Sequence, residues 1–208
     1  MLLSGVTTAE RRLREREARR RLITASARLL AEQEGWEAVT TRRLSTEIEY
    51  SQPVIYKHFA SMEDLIEAIA LEGFAELAET LGESRRRAAP REVVGAVAHA
   101  YIRYATENPA SYTAMFDRAT RLRFGTDSAA PLRTAFAELR AAVATIAGER
   151  DVDTLTEVLW AGLHGLTTLG RTNRLLPGHG TERVDLLVSQ LSAADPHPPG
   201  SLLPRGSL

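Results

Sequence analysis

The stretch VTTRRLSTEIEYSQPVIYKHF, residues 39–59, decides the fold. It divides into two short helical patterns, TTRRLSTEIE and SQPVIYKHF, around a tight turn at Glu49–Tyr50. Thr40 or Thr41 opens the first, and Leu44 and Ile48 face inward at a spacing of four. Ser51 stands where an N-cap is needed for the second, and Pro53 falls in its first turn, where a missing amide proton costs little. Val54, Ile55 and Phe59 divide between core and edge. A helix of about seven residues buries little by itself, so its exposed side chains are expected to serve something other than packing. Two such helices joined by a tight turn make a helix-turn-helix, whose second helix sets its N-terminal side chains against base edges in the major groove. Lys57 on this second helix is the one lysine of the chain, beside 25 arginines.

Longer helices are predicted on either side. The first runs from about residue 8 to Glu34, with Leu22, Ala25 and Leu29 beside Ile23, Ala27 and Leu30 as its apolar stripe and Gly35 as its stop. A fourth starts at the cap Ser61, carries Glu63 and Asp64 in its first turn to complement the dipole, and continues to about Leu81. GESRRRAAPR, residues 82–91, reads as a polar connector and a domain boundary. Helical patterns follow at about 91–107, 109–117, 130–147, 152–172 and 181–193, interrupted by a polar loop at 118–131 that is expected to be mobile. The expected fold is all-α with about nine helices. Its divisions are a helix-turn-helix domain with a basic N-terminal extension over 1–60, a connecting helix over 61–81, a helical ligand-binding and dimerisation domain over 82–194, and a Pro/Gly-rich tail over 195–208 expected to be disordered. LLPRGS in that tail resembles a protease-cleavage site left by cloning, and is set aside from fold reasoning.

Composition narrows the function. A chain of 208 residues with 44% hydrophobic content can bury a sizeable core. No apolar run approaches the roughly 20 residues of a membrane span, and the N-terminus lacks a signal-peptide core; a cytoplasmic protein is expected. Without cysteine there is no disulfide, thiolate metal site or cysteine nucleophile. The net charge of −1 divides unevenly: 11 Lys/Arg against 8 Asp/Glu over residues 1–60, and 15 against 19 over the rest. Arg11, Arg12, Arg14, Arg16, Arg19, Arg20 and Arg21 crowd the start, interleaved with Glu10, Glu15 and Glu17. They form either a solvated, self-paired helix face or a phosphate-seeking arm.

Over residues 20–70 the chain resembles the tetracycline-repressor family. Gly35, Trp36, Thr40, Arg42, Leu44, Ser51, Tyr56, His58, Phe59, Ser61 and Leu65 match that family's reading head in register. The resemblance implies that Arg42, Gln52, Pro53 and Lys57 face base edges and that Thr40, Thr41, Tyr56 and His58 contact phosphates. Arginine or lysine suits guanine O6 and N7, and glutamine suits adenine. It also implies a double-stranded DNA operator, a homodimer and a small-molecule effector. Two positions depart from the family pattern: Glu49 holds the turn position usually given to a small residue such as glycine, because the backbone there needs positive φ, and Met62 replaces a phosphate-gripping lysine.

Further along, NPASYTAMF (108–116) and LWAGLHGL (159–166), with its Trp-x-x-x-His-Gly pattern, resemble one branch of that family. By their own spacing, Leu155, Leu159, Gly162, Leu166 and Leu169 form a helix-packing seam, and Val184, Leu187, Val188 and Leu191 a second stripe. Pairing both helices with their copies is the expected dimer interface. Tyr101, Tyr104, Tyr112, Met115, Phe116, Trp160 and His164 are candidates for lining an effector pocket; aromatic and Met residues at helical spacing also serve simply as core. Three rivals remain. An enzyme lacks support, since none of the five histidines forms a metal-spaced pair and no HExxH, phosphate loop or GxSxG occurs; no cofactor is expected. A membrane-binding basic helix lacks the aromatic face it needs. A DNA-binding activator would read identically to a repressor.

Overall fold

A computed structural model describes residues 7–125 and 127–193; the 195–208 tail lies outside the described residues. Within them there are nine α-helices and no strand. They are α1 (Thr8–Glu34), α2 (Thr41–Glu47), α3 (Gln52–His58), α4 (Met62–Arg87), α5 (Val93–Glu107), α6 (Pro109–Thr113), α7 (Ala130–Val143), α8 (Val152–Arg171) and α9 (Gly180–Ala193). Two compact units emerge: one from residues up to Glu79 together with Tyr104–Ala135, the other from Thr80–Arg103 together with residues from Phe136 onward.

Local chemistry starts and stops the helices of the first unit. A capping box opens α1: Thr7 Oγ1 accepts from Glu10 N at 3.2 Å while Glu10 Oε2 accepts from Thr7 N at 2.8 Å. Gly35, at φ 84°, closes it, and Trp36–Ala38 form a 3₁₀ turn. Thr40 caps α2, its Oγ1 accepting from Arg43 N at 3.1 Å. Ser61 Oγ likewise accepts from Asp64 N at 3.1 Å ahead of α4. Ile23, Ala27, Leu30, Leu44, Ile55, Phe59, Leu65 and Ile69 are buried and form the core of the reading head.

Glu49 takes φ 55° between α2 and α3. The turn therefore keeps the left-handed backbone that favours glycine, and a glutamate occupies it at a steric cost of about 1 kcal/mol. Replacing Glu49 with glycine is expected to raise stability by about 0.5–1 kcal/mol, the relieved strain being partly offset by unfolded-chain entropy. A urea midpoint that falls on this substitution would show that the glutamate side chain contributes more than the strain it imposes.

Three boundaries differ from the sequence expectation. Helix α4 does not stop near Leu81 but continues to Arg87, so most of the polar segment 82–91 is helical. Its partners within the second unit explain this. Arg85 Nε donates to Glu138 Oε2 at 2.8 Å, Ser84 Oγ donates to Ala96 O at 2.9 Å, and Arg87 pairs with Glu83 at 2.5 Å. The helix expected at 109–117 is a short α-helix running into a π turn at Ala114–Arg118. The helix expected to reach 147 ends at Val143, and the chain passes into turns before Gly148, at φ 58°.

Aromatic packing completes the first unit. Phe116 lies 5.4 Å from Phe74 edge-on, 4.6 Å from Tyr112 and 6.4 Å from Phe124, centroid to centroid. Phe124 belongs to the 118–131 loop, which Arg121 also ties to α4 through Asp64 at 2.6 Å and Glu67 at 2.9 Å. The loop expected to be mobile is thus anchored at two points.

The second unit buries Leu81, Val93, Val97, Tyr101, Leu139, Val143, Leu159, Leu163 and Val184. On α8 the buried stripe is Thr156, Leu159, Leu163 and Thr167. The two threonines satisfy their hydroxyls on the preceding turn, donating to Val152 O at 2.7 Å and Leu163 O at 2.9 Å. Helices α8 and α9 approach closely at Gly162, where a Cβ would stand 2.7 Å from a Leu187 methyl.

Candidate nucleic-acid interface

The buried side of the α2–α3 pair is apolar and its outer side is polar. Leu44 and Ile55 are 0% and 1% exposed, whereas Arg42, Gln52, Pro53, Tyr56 and Lys57 are all exposed. The residues expected at base edges thus share the outer surface of two adjacent short helices. Two neighbouring arginines are told apart by their partners. Arg43 is held by Glu34 at 2.9 Å and Glu47 at 3.0 Å, and the Glu34 hydrogen bond is the main cause of its raised pKa. Arg42 makes no such ion pair among the described residues and stays available.

Of the residues expected at phosphates, Thr40 is exposed but its oxygen accepts the α2 cap bond, which leaves its O–H free to donate. Thr41 and His58 are half-buried and Tyr56 is 50% exposed. Ser51 was not among the expected contacts. It occupies the N-cap of α3 without making a side-chain cap bond, so its hydroxyl sits exposed at the head of the recognition helix. Pro53 leaves that first turn with one fewer amide to satisfy.

His58 sits at the other end of α3. Its Nδ1 is sealed from solvent with no hydrogen-bond partner, and its carbonyl accepts from Arg20 Nη1. Burial, followed by the positive charges of Arg16, Arg20, Arg19 and Lys57, lowers its pKa below the usual 6.5. The folded chain therefore prefers neutral His58. Stability from this preference is complete above pH 6.5 and is lost as pH falls through the folded pKa, because the unfolded chain binds the proton more readily. Melting between pH 7 and 5 is expected to show a loss that a His58→Gln variant lacks; parallel pH profiles for the two proteins would refute it.

The reading head is tied down at its rear. Trp36, 8% exposed, donates from Nε1 to Ala110 O at 3.1 Å, and Ala110 N donates to Glu32 Oε1 at 3.0 Å. Arg28 grips Glu76 with one amine at 2.6 and 2.8 Å and Asn108 Oδ1 with the other at 2.6 Å. Thr24 donates to Glu72 at 3.1 Å, and burial raises the Glu72 pKa. Thr24, Arg28, Glu32, Glu72, Glu76 and Asn108 line, with Arg21 among others, a cleft of about 890 Å³.

None of the expected effector residues lines that cleft. Tyr104, Tyr112, Met115 and Phe116 come together inside the first unit, with Tyr104 donating to Gly73 O at 2.9 Å and its hydroxyl 3.9 Å from Met115 Sδ. Burial raises the Tyr104 pKa well above the usual phenol range. Tyr101 and Trp160 meet in the second unit, where Trp160 Nε1 donates to the Tyr101 hydroxyl at 3.2 Å; His164 lies one turn further along α8. Of the expected interface residues, Leu155, Gly162, Leu166, Leu187, Val188 and Leu191 are half-buried and Leu169 is 39% exposed. Leu159 and Val184 are 0% and 2% exposed, which corrects their placing: they support that surface from beneath and cannot meet a partner.

Among the described residues no helix is long and apolar enough to cross a membrane, and no group of three or more His, Cys, Asp or Glu side chains is arranged to hold a metal. A cap–turn–cap helix pair with an exposed polar face over an apolar core defines a helix-turn-helix protein that binds DNA. Comparison with known sequences gives the family. The profile "Bacterial regulatory proteins, tetR family" matches residues 22–69, and "Tetracyclin repressor-like, C-terminal domain" matches residues 94–193. This chain belongs to the tetracycline-repressor family of transcriptional regulators, and not to an enzyme family. It is 29% identical over 158 residues to Rv0681, an uncharacterized HTH-type transcriptional regulator of Mycobacterium tuberculosis, covering 74% of this chain and 70% of that one. Similar folds include the TetR family regulator PfmR of Thermus thermophilus, at 20% identity and TM-score 0.59 over 81% of this chain and 96% of PfmR. Another is BioQ with its double-stranded DNA operator, at 21% identity and TM-score 0.57 over 84% of this chain and 98% of BioQ.

Proposed function

We propose that the protein is a dimeric, cytoplasmic repressor that binds a pseudo-palindromic operator and leaves it when a small apolar or amphipathic effector binds. The observation that carries this reading is the shared exposure of Arg42, Gln52, Pro53 and Lys57 above a buried Leu44–Ile55 core. Arg42 and Lys57 donate to guanine edges and Gln52 pairs with adenine, while Thr40, Thr41, Tyr56 and His58 fix register on phosphates. Functionally, we divide the chain into a reading head over 1–60, a connecting helix that begins at 61 and that α4 carries on to Arg87, and a regulatory domain beyond it.

Dimerisation is supported by the second unit's outer surface. The seam residues Leu155, Gly162, Leu166 and Leu169 flank the buried stripe of α8 on one side, and Val158 and Leu186 are 48% and 60% exposed. A second copy covering α8 and α9 removes this apolar surface from water and presents two reading heads to half-sites about one helical turn, or a multiple of it, apart. We assign the chain to the branch that shares the Trp160-x-x-x-His164-Gly165 pattern, and effector contact to Tyr104, Tyr112, Met115 and Phe116 within the first unit or to Tyr101, Trp160 and His164 within the second. An effector that prefers a state with misplaced heads shifts the dimer away from its operator.

The test is selection of bound fragments from the source genome at physiological salt, followed by reporter expression from the enriched site. One pseudo-palindromic motif whose reporter rises when the regulator is removed supports the reading. A motif whose reporter falls makes the protein an activator, and no motif at all defeats the operator assignment.

A further inference from the structure

The first three turns of α1 carry charge without carrying core. No residue from Thr7 to Arg19 is buried, and the first buried side chain of the helix is Ile23. At about 100° per residue, Arg12, Arg16, Arg19 and Arg20 lie on the same side as Ile23, Ala27 and Leu30. The face that packs into the core further along is thus an arginine face at the start. Its other members are Ala9 and Leu13, and no carboxylate shares the arc.

The interleaved glutamates neutralise other positions. Glu15 pairs with Arg11 at 3.9 Å, and Glu10 is taken up by the cap with Thr7. Among the described residues no carboxylate lies within ion-pairing distance of Arg12, Arg16 or Arg19. Three like charges on one helical face repel one another, and among the described residues no ion pair offsets that cost.

This face adjoins the recognition helix. Arg20 donates to the carbonyl of His58, the last residue of α3, and its guanidinium lies 4.1 Å from the Phe59 ring centroid. Arg16 and Arg19 are close enough to disfavour protonation of His58, as is exposed Lys57. A continuous cationic surface therefore runs from the end of α3 onto the start of α1. Arg12 to Arg19 covers about 10 Å of helix axis at 1.5 Å per residue, about three base-pair steps of one strand.

We infer that the exposed start of α1 is a second DNA-binding element, in which Arg12, Arg16 and Arg19 hold backbone phosphates beside the half-site read by α2 and α3. This deepens the operator reading and rests on it. Guanidinium groups are suited to phosphate oxygens, which they grip in bidentate fashion. Because phosphates carry no sequence information, the element adds affinity and salt dependence, not selectivity. An anionic membrane is the other polyanion a basic helix meets, but Ala9 and Leu13 are the only apolar residues on this arc, too little to insert.

The experiment compares the full chain with R12Q/R16Q/R19Q and the charge-keeping R12K/R16K/R19K. Binding is titrated on the wild-type-selected operator and on random duplex from 50 to 200 mM salt, and phosphate contacts are mapped by ethylation interference. Losing three contacts in each protomer, six in the dimer, should flatten the salt dependence so that the Gln variant loses about 2,000-fold less affinity than wild type across that range. Its operator-to-random ratio should hold, interference outside the half-site should vanish, and the Lys variant should retain the wild-type slope. Equal slopes and equal interference in wild type and Gln variant overturn the inference while leaving the operator reading intact. So does a Gln variant impaired only on phosphatidylserine vesicles. A wild type that selects no site fails the operator reading, and the second element falls with it.

Discussion

Alanine at both Gln52 and Lys57 is expected to weaken operator binding by on the order of a thousandfold or more, four base contacts being lost in the dimer, while changing affinity for random DNA only a few-fold. Each direct base contact contributes roughly 1–3 kcal/mol of discrimination, and both side chains project from the outer surface of α3. Neither supports the core. Ile55, on the same helix, is the residue buried beneath, so the double variant should fold as the wild type does. Random DNA is held by phosphate contacts, which this substitution leaves in place except for one lysine charge in each protomer. The salt slope of the dimer should therefore drop by no more than about two contacts. Competition titrations of operator against random duplex read the effect directly. Parallel losses on both duplexes would show that α3 holds phosphates and that sequence is read elsewhere.

The second large effect is structural. Trp36→Ala should destabilise the protein by about 3–5 kcal/mol, read as a lower urea midpoint. The indole is almost fully buried where α1 turns toward α2, and its loss opens a cavity and leaves the Ala110 carbonyl without its donor. Its ring also faces the Arg118 guanidinium at 5.8 Å, while Arg118 is paired with Glu37. Trp36→Phe keeps most of the ring and removes the N–H, so it should cost only about 1–2 kcal/mol. If both substitutions cost the same, the hydrogen bond and not the volume holds this corner. Operator affinity should fall in step with stability, because Trp36 fixes the end of the helix from which the reading head departs.

How far these sites were legible depended on the range of the physics involved. Thr40, Ser61 and Gly35 act as caps and a stop through bonds three or four residues long, and all three also declare themselves by residue type. Helix α3 is also legible from residue type, with Ser51 and Pro53 at the start of a seven-residue helix over a single buried Ile55, although Ser51 makes no cap bond. Glu49 is the instructive case. Its residue type argued against a left-handed turn, yet the packing of α2 on α3 imposes φ 55° regardless.

What the sequence by itself determined is the helical content, the helix-turn-helix register and which side chains of the two short helices face outward, because each follows from 3.6-residue periodicity and capping within one or two turns. Tertiary structure decided what depends on partners far along the chain. Arg43 is withdrawn by Glu34 while Arg42 is left exposed. Helix α4 is carried through 82–87 because Glu138 and Ala96 receive its polar side chains. Leu159 and Val184 are sealed within one chain, whereas Leu166 and Leu169 remain partly open beside them. Arg12, Arg16 and Arg19 became one continuous surface with α3 only when Ile23 and Ala27 set the rotation of α1 and Arg20 met the carbonyl of His58. Periodicity fixes which residues share a face; only packing against distant elements determines what that face meets.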